Sequence, residues 1–186
     1  ARCDDAVKRC LVINPNTTGA VTEIVVSACQ RAQPGVQWEG VTARFGAAYI
    51  ADEASYAKAA PATLDAFDAF YAGHDVVLLA CFGDPGLFAV KEVSPVPVLG
   101  LAEASMIEAT ETAGRFSIVS GGAAWKPMLE RFAAQLGYAD RLASVRTVAL
   151  TGRDGGEAGR VAEIHINVPD DRTPRVQEVH ITLIHA

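Results

Sequence analysis

The chain predicts an α/β architecture, a doubly wound parallel sheet whose second half starts the pattern over. Two observations carry that expectation. Short, nearly uninterrupted apolar runs alternate strictly with longer segments of helical periodicity, the signature of parallel strands joined by crossover helices. The same strand–turn–helix order then recurs after residue 102, so the chain reads as two similar lobes.

The elements follow in order. Arg9-Cys-Leu-Val-Ile13 is a first strand, and Asn14-Pro-Asn-Thr-Thr18 the turn after it. A helix then runs to about Ala32, with Val21, Ile24, Val25 and Ala28 on one face, until Gln33-Pro-Gly35 stops it. Val36 to Arg44 reads as a second strand. Ala54 to Tyr71 is helical, with Leu64, Phe67 and Tyr71 as its inner stripe and Pro61 either breaking or restarting it. The third strand, His74 to Ala80, is apolar enough to be buried on both faces. It delivers Cys81 to the turn Cys81-Phe-Gly-Asp-Pro-Gly86, where Asp84 suits a helix N-cap and Pro85 a first helical residue. Pro95 to Leu101 is a short fourth strand.

The second half repeats this order. A helix spans about Glu103 to Ala113, Arg115 to Val119 is a strand, and Ser120-Gly-Gly122 is a tight turn. The next helix sets Trp125, Met128, Leu129, Phe132 and Leu136 on one face and ends at Gly137. Ser144 to Leu150 is another strand.

Cys81 is the leading candidate for chemistry. It stands at the carboxyl end of a central strand, where open α/β sheets bind ligands. A helix N-terminus just beyond would favour thiolate, while a carboxylate at Asp84 opposes it. A small buried hydrophobe is the other reading of such a cysteine. Asn14, Asn16 and Thr17 occupy a strand-to-helix turn, where side chains and free N–H groups suit a substrate carbonyl or a developing enolate. The same residues equally make an ordinary Asx-turn and cap. Ser120 and Gly121, with Gly122, form the equivalent turn of the second lobe, fit either for close approach to a ligand or simply for turning. Phe82 and Gly83 flank the thiol as pocket wall.

Bulk properties narrow the partners. With 186 residues, half of them hydrophobic, the chain can build a real core. Its formal charge of −6 argues against a nucleic-acid surface. Apolar stretches fall short of the ~20 residues of a membrane span, and the acidic start, Ala1 to Ala6, does not read as a secretory signal. Cys3, Cys10, Cys29 and Cys81 show no zinc spacing and no CxxC pair, which points to free thiols in a reducing cytoplasm.

Four strings converge on one family. Leu11-Val-Ile-Asn-Pro-Asn-Thr-Thr18, Ala43-Arg-Phe-Gly-Ala-Ala-Tyr-Ile-Ala-Asp-Glu53, Leu79-Ala-Cys-Phe-Gly-Asp-Pro-Gly-Leu87 and Phe116-Ser-Ile-Val-Ser-Gly-Gly122 occur in order. Together they resemble the aspartate/glutamate/hydantoin racemase superfamily, in its hydantoin and allantoin racemase branch, over about residues 9–150. The resemblance implies two flavodoxin-like lobes around a shared cleft, no cofactor and no metal, a small-molecule substrate, and a homo-oligomer. It also implies two acid/base cysteines, one on each side of the substrate, with Cys81 matching the first. A second cysteine is expected downstream, but none follows Cys81.

The tail differs. Leu150 to Glu157 and Val168 to His180 resemble the end of phosphoheptose isomerase. That implies a strand at about Val161 to Val168 and a last helix carrying Gln177 and His185 toward a metal site. On an ideal helix these two lie about 12 Å apart along the axis. The earlier His and Glu of that site, and its serine-rich phosphate loop, are missing, so His165, His180 and His185 read as surface or packing residues. The chain is thus expected to be a hybrid: a first racemase-like lobe over 1–101, the start of a second over 102–150, and an exchanged segment over 151–186. Three functions follow: a cysteine-dependent racemase impaired by its missing second cysteine, an inactive chimeric scaffold, or a metal-dependent phosphosugar isomerase.

Overall fold

The computed structural model describes residues 8–148 and, beyond them, the backbone of two strands, 162–167 and 178–183. The chain divides into two compact units, Ala1–Ile50 with Ala54–Leu101, and Ala51–Glu53 with Ala102–Ala186.

The first unit contains β1 (Arg9–Asn14), α1 (Gly19–Ala32), β2 (Gln37–Thr42), α2 (Glu53–Phe70), β3 (Val76–Leu79), α3 (Leu87–Val93) and β4 (Val98–Gly100). Its four strands form one sheet in the order β2-β1-β3-β4, every pair parallel. Parallel strands need crossovers, which the alternating helices supply. The strand buried on both faces is β1 rather than β3: Leu11, Val12 and Ile13 are fully enclosed, whereas Val76 and Leu78 on β3 keep some exposure. Both strands have a neighbour on each side, so the difference lies in what covers their faces, which composition alone does not rank. β2 and β4 are edges, and Leu99 on β4 is accordingly exposed.

Helix faces depart from the apolar count in two places. Ile24 on α1 is exposed, and Thr22 takes the inward position beside Val21 and Val25. The reason is polar pairing: the Thr22 hydroxyl accepts the Asn14 side-chain amide at 3.0 Å and pairs with the Thr42 hydroxyl at 2.6 Å. Gly40 on β2 lets this helix lie close, because a Cβ there would meet Val26 and Thr22 at 2.5 and 2.7 Å. On α2 the helix runs unbroken through Pro61. An interior proline costs about 3 kcal/mol, here offset by burying Ala59, Ala62, Thr63, Ala66 and Phe67. Those mostly small residues are the buried stripe; Leu64 and Tyr71 are only half-buried, Tyr71 stacking on Phe67 at 4.7 Å.

The second unit contains α4 (Leu101–Ala113), β5 (Phe116–Gly121), α5 (Trp125–Gln135) and β6 (Leu142–Val148). β5 and β6 pair in parallel. Trp125, Met128, Leu129 and Phe132 are buried as expected, together with Phe116, Ile118 and Val145. Leu136 is half-buried at the helix end, and Gly137 turns the chain with φ 83°.

Farther on, β7 (Ala162–Asn167) falls where a strand was expected, but it pairs antiparallel with β8 (Glu178–Leu183). A strand thus replaces the expected last helix over 178–183. Glu-Val-His-Ile-Thr-Leu alternates polar and apolar residues and is rich in β-branched ones, which favours an extended chain. The register sets Ala162, Ile164 and Ile166 opposite Leu183, Ile181 and Val179. Gln177 and His185 lie outside the described residues.

Candidate active site

The register Ile13↔Leu79 brings the ends of β1 and β3 together on the carboxyl edge of the first unit's sheet. The Ala80 N–H donates to the Ile13 carbonyl at 2.8 Å, so the turn after β1 and the turn after β3 leave the sheet side by side. Asn14, Asn16, Thr17, Cys81, Phe82 and Gly83 therefore gather at one edge. Ser120 and Gly121 belong to the other unit. They are the last residues of β5 rather than a turn, paired with Thr147 and Val148 because the parallel ladder continues to the strand's end. The turn begins at Gly122, whose φ of 83° suits glycine.

Asn14 is fully buried and its side chain is committed to the protein. Its amide nitrogen lies 3.0 Å from Asn16 Oδ1, the Thr18 carbonyl and Thr22 Oγ1. Its Oδ1 accepts the Asn16 N–H at 3.1 Å, which closes an Asx-turn. Asn16 Oδ1 accepts the Thr18 N–H at 2.9 Å. The Asn16 amide nitrogen takes no part in these bonds, and no buried side-chain N or O atom lacks a partner among the described residues. That nitrogen is therefore a donor with access to the edge. Thr17 is exposed, and its N–H ties the turn to the 43–50 loop through the Ala47 carbonyl at 3.1 Å. Thr18 Oγ1 makes a second tie to the Ala48 carbonyl at 2.7 Å.

Cys81 as a residue is partly exposed. Burial nevertheless pushes the thiol well above its ordinary value, and the charge of Asp84 pushes it the same way. The expected help from a helix N-terminus is absent. α3 begins only at Leu87, and Asp84 is not its cap: Gly86 holds the N-cap position, with φ 86° and ψ 0°. Asp84 instead takes a left-handed φ of 47°, is buried, and lays its carboxylate against Gly100, just before α4.

Two β-turns in succession explain this departure. The Asp84 N–H donates to the Cys81 carbonyl at 2.9 Å, closing the first over Phe82 and Gly83. The Leu87 N–H donates to the Asp84 carbonyl at 3.0 Å, closing the second over Pro85 and Gly86. Proline then glycine with positive φ is a type II turn, so Pro85 serves a turn rather than a first helical position. Among the described residues, neither the Phe82 nor the Gly83 N–H has a backbone partner. Sequence reasoning missed Tyr56, whose hydroxyl donates to the Gly83 carbonyl at 2.7 Å; nothing local marks a tyrosine in the first turn of α2 as a neighbour of residue 83. Among the described residues no cluster of His, Cys, Asp and Glu could hold a metal, and no helix is long and apolar enough to cross a membrane.

Known proteins place the chain in a family. The Asp/Glu/Hydantoin racemase family model matches residues 10–168. A hydantoin racemase of Paenarthrobacter aurescens is 38% identical over 144 residues, covering 74% of this chain and 60% of that protein. The crystal structure of an allantoin racemase from Pseudomonas fluorescens superposes with a TM-score of 0.75 at 30% identity, covering 80% of this chain and 64% of the other. The chain thus spans about three fifths of the length of the relatives it matches. Separately, 40 residues, 22% of the chain, are 60% identical to a phosphoheptose isomerase of Geobacter sp. (strain M21). Parallel sheet, strand-end thiol and sequence kinship lead to one conclusion: the chain belongs to the Asp/Glu/hydantoin racemase family.

Proposed function

We propose that the chain is a cofactor-independent racemase of the hydantoin or allantoin type, with Cys81 exchanging the proton on one face of the substrate's asymmetric carbon. The observation that supports this most directly is the placement of the partly exposed residue Cys81 at the end of β3, on the sheet edge that also carries Asn16 and the Phe82 and Gly83 N–H groups. A hydantoin carries its C5–H next to a carbonyl. Removing that proton leaves the electron pair on an enolate, whose oxygen needs hydrogen-bond donors. The thiolate of Cys81 takes the proton and becomes a thiol; the reverse transfer returns it. Thr17 flanks the same edge.

The thiol's raised affinity for its proton keeps Cys81 protonated at neutral pH, so the thiolate that removes a substrate proton is a minor species. Within these 186 residues no cysteine follows it. We propose that these residues by themselves make an impaired enzyme, with exchange on one face slow but faster than inversion through water. By the same resemblance it acts on a small molecule and forms homo-oligomers.

The test is deuterium wash-in at the α-carbon of L- and D-5-substituted hydantoins and allantoin. Cys81-dependent incorporation into one enantiomer, faster than its inversion, is expected. Cys81→Ser should reduce it at least about a hundredfold, the scale of a lost general base. Equal wash-in by Cys81→Ser would reject the proposal, and no wash-in by the unaltered chain would leave an inactive scaffold as the better description.

A further inference from the structure

We infer that Tyr56 is a positioning residue for Cys81: its hydroxyl holds the Gly83–Asp84 peptide in a strained orientation and so fixes the turn that carries the thiol. The inference rests on the reading of Cys81 as the acid/base.

Gly83 and Asp84 have φ of 132° and 47°, two left-handed residues in a row, the second with a side chain. A non-glycine residue there pays a steric cost that ordinary turns avoid. Rotating the Gly83–Asp84 peptide by half a turn changes ψ of Gly83 and φ of Asp84 together. It would return Asp84 to negative φ, and Gly83 has no Cβ to oppose the change. The relaxed conformation is thus one peptide flip away.

Two bonds hold the peptide against it. On one side the Asp84 N–H donates to the Cys81 carbonyl at 2.9 Å. On the other the Gly83 carbonyl accepts the Tyr56 hydroxyl at 2.7 Å. A flip breaks both, and the first is the turn closure at the cysteine itself. Around these bonds the loop is docked on α2, where a Cβ at Gly86 would press on Ala60 and Thr63, and on β4, where Asp84 lies against Gly100. Those contacts fix where the loop lies, whereas the Tyr56 hydroxyl bears on which way this peptide faces. Strained backbone at a reacting residue persists when its surroundings over-determine it, and Tyr56 supplies that here from α2.

Tyr56→Phe removes one oxygen and keeps the ring. Three measurements test it on the full chain: thermal unfolding, α-proton exchange, and the pH profile of iodoacetamide labelling of Cys81, followed by mass spectrometry of its peptide. The expected result is a folded protein whose exchange kcat falls about tenfold to a hundredfold, the scale of a misplaced reacting group. KM should change less than about threefold, since binding donors on the β1 turn remain. The labelling profile should shift, because the thiol's surroundings change.

An unchanged labelling profile overturns the inference, whether or not stability falls. Labelling does not need turnover, so it still tests Tyr56 if Cys81-dependent exchange is absent and the functional reading fails. Should Tyr56→Phe not fold, 3,5-difluorotyrosine placed at residue 56 keeps the shape and the donor at low pH and loses the donor on ionising. A break in Cys81 labelling at the fluorophenol's own ionisation supports the inference, and a smooth profile identical to the unaltered protein's overturns it.

Discussion

Cys81 and Asn14 show how residues of one sheet edge divide between chemistry and architecture. Cys81 is partly exposed as a residue and keeps a proton, while Asn14 is sealed and spends every polar atom on its own turn. Asn14→Ala leaves the Thr18 carbonyl, the Thr22 hydroxyl and the Asn16 N–H short of a partner. A loss of about 1–3 kcal/mol in urea unfolding is expected, the cost of buried polar groups left unpaired. Asn16→Ala should cost less stability and more activity, because one of its amide atoms is not needed by the turn. The roles of these two asparagines are not separable in the sequence, where they differ only by one proline. Which one is enclosed depends on α1 and β2 closing over the first of them.

At the scale of elements, the meeting of α1 with β2 is set by one missing side chain. Gly40→Ala should force Val26 and Thr22 outward, since both stand closer than a real Cβ allows. A destabilisation of about 1–3 kcal/mol is expected, the range for overpacking, and Val26→Ala in the same chain should recover part of it. The six residues that follow Cys81 illustrate a second kind of element. Asp-Pro-Gly reads as the start of a helix from composition, yet the chain spends it on two turns. The reason is conformational as well as long-range: α2 and β4 fix where the loop lies, and the positive φ of Asp84 and Gly86 is not helical. In the tail, β7 and β8 follow their local alternation rather than the kinship of the segment.

For the whole molecule, buried thiols make stability depend on alkaline pH. Cys10, enclosed on β1, is pushed up to about 11 by burial first and by Cys29 second, and Cys29 and Cys81 are raised as well. In the unfolded chain these thiols ionise near about 8.5. The folded state holds its protons more tightly, so stability is fully present below that value and is lost as pH rises above it. Urea midpoints should be level up to about pH 8 and fall between about 9 and 11, with a shallower fall in Cys10→Val. The strand and helix order of residues 9–148, the place of the cysteine at a strand end and the family were legible in the chain by itself. They rest on local periodicity and on strings of neighbouring residues, which fold the same way wherever they are packed. Which strand is enclosed on both faces, where Asp84 puts its carboxylate, and that a tyrosine 27 residues away holds the peptide beside the thiol were decided only in three dimensions. Burial, strain and electrostatic shift are properties of neighbours in space, and the chain order does not name those neighbours.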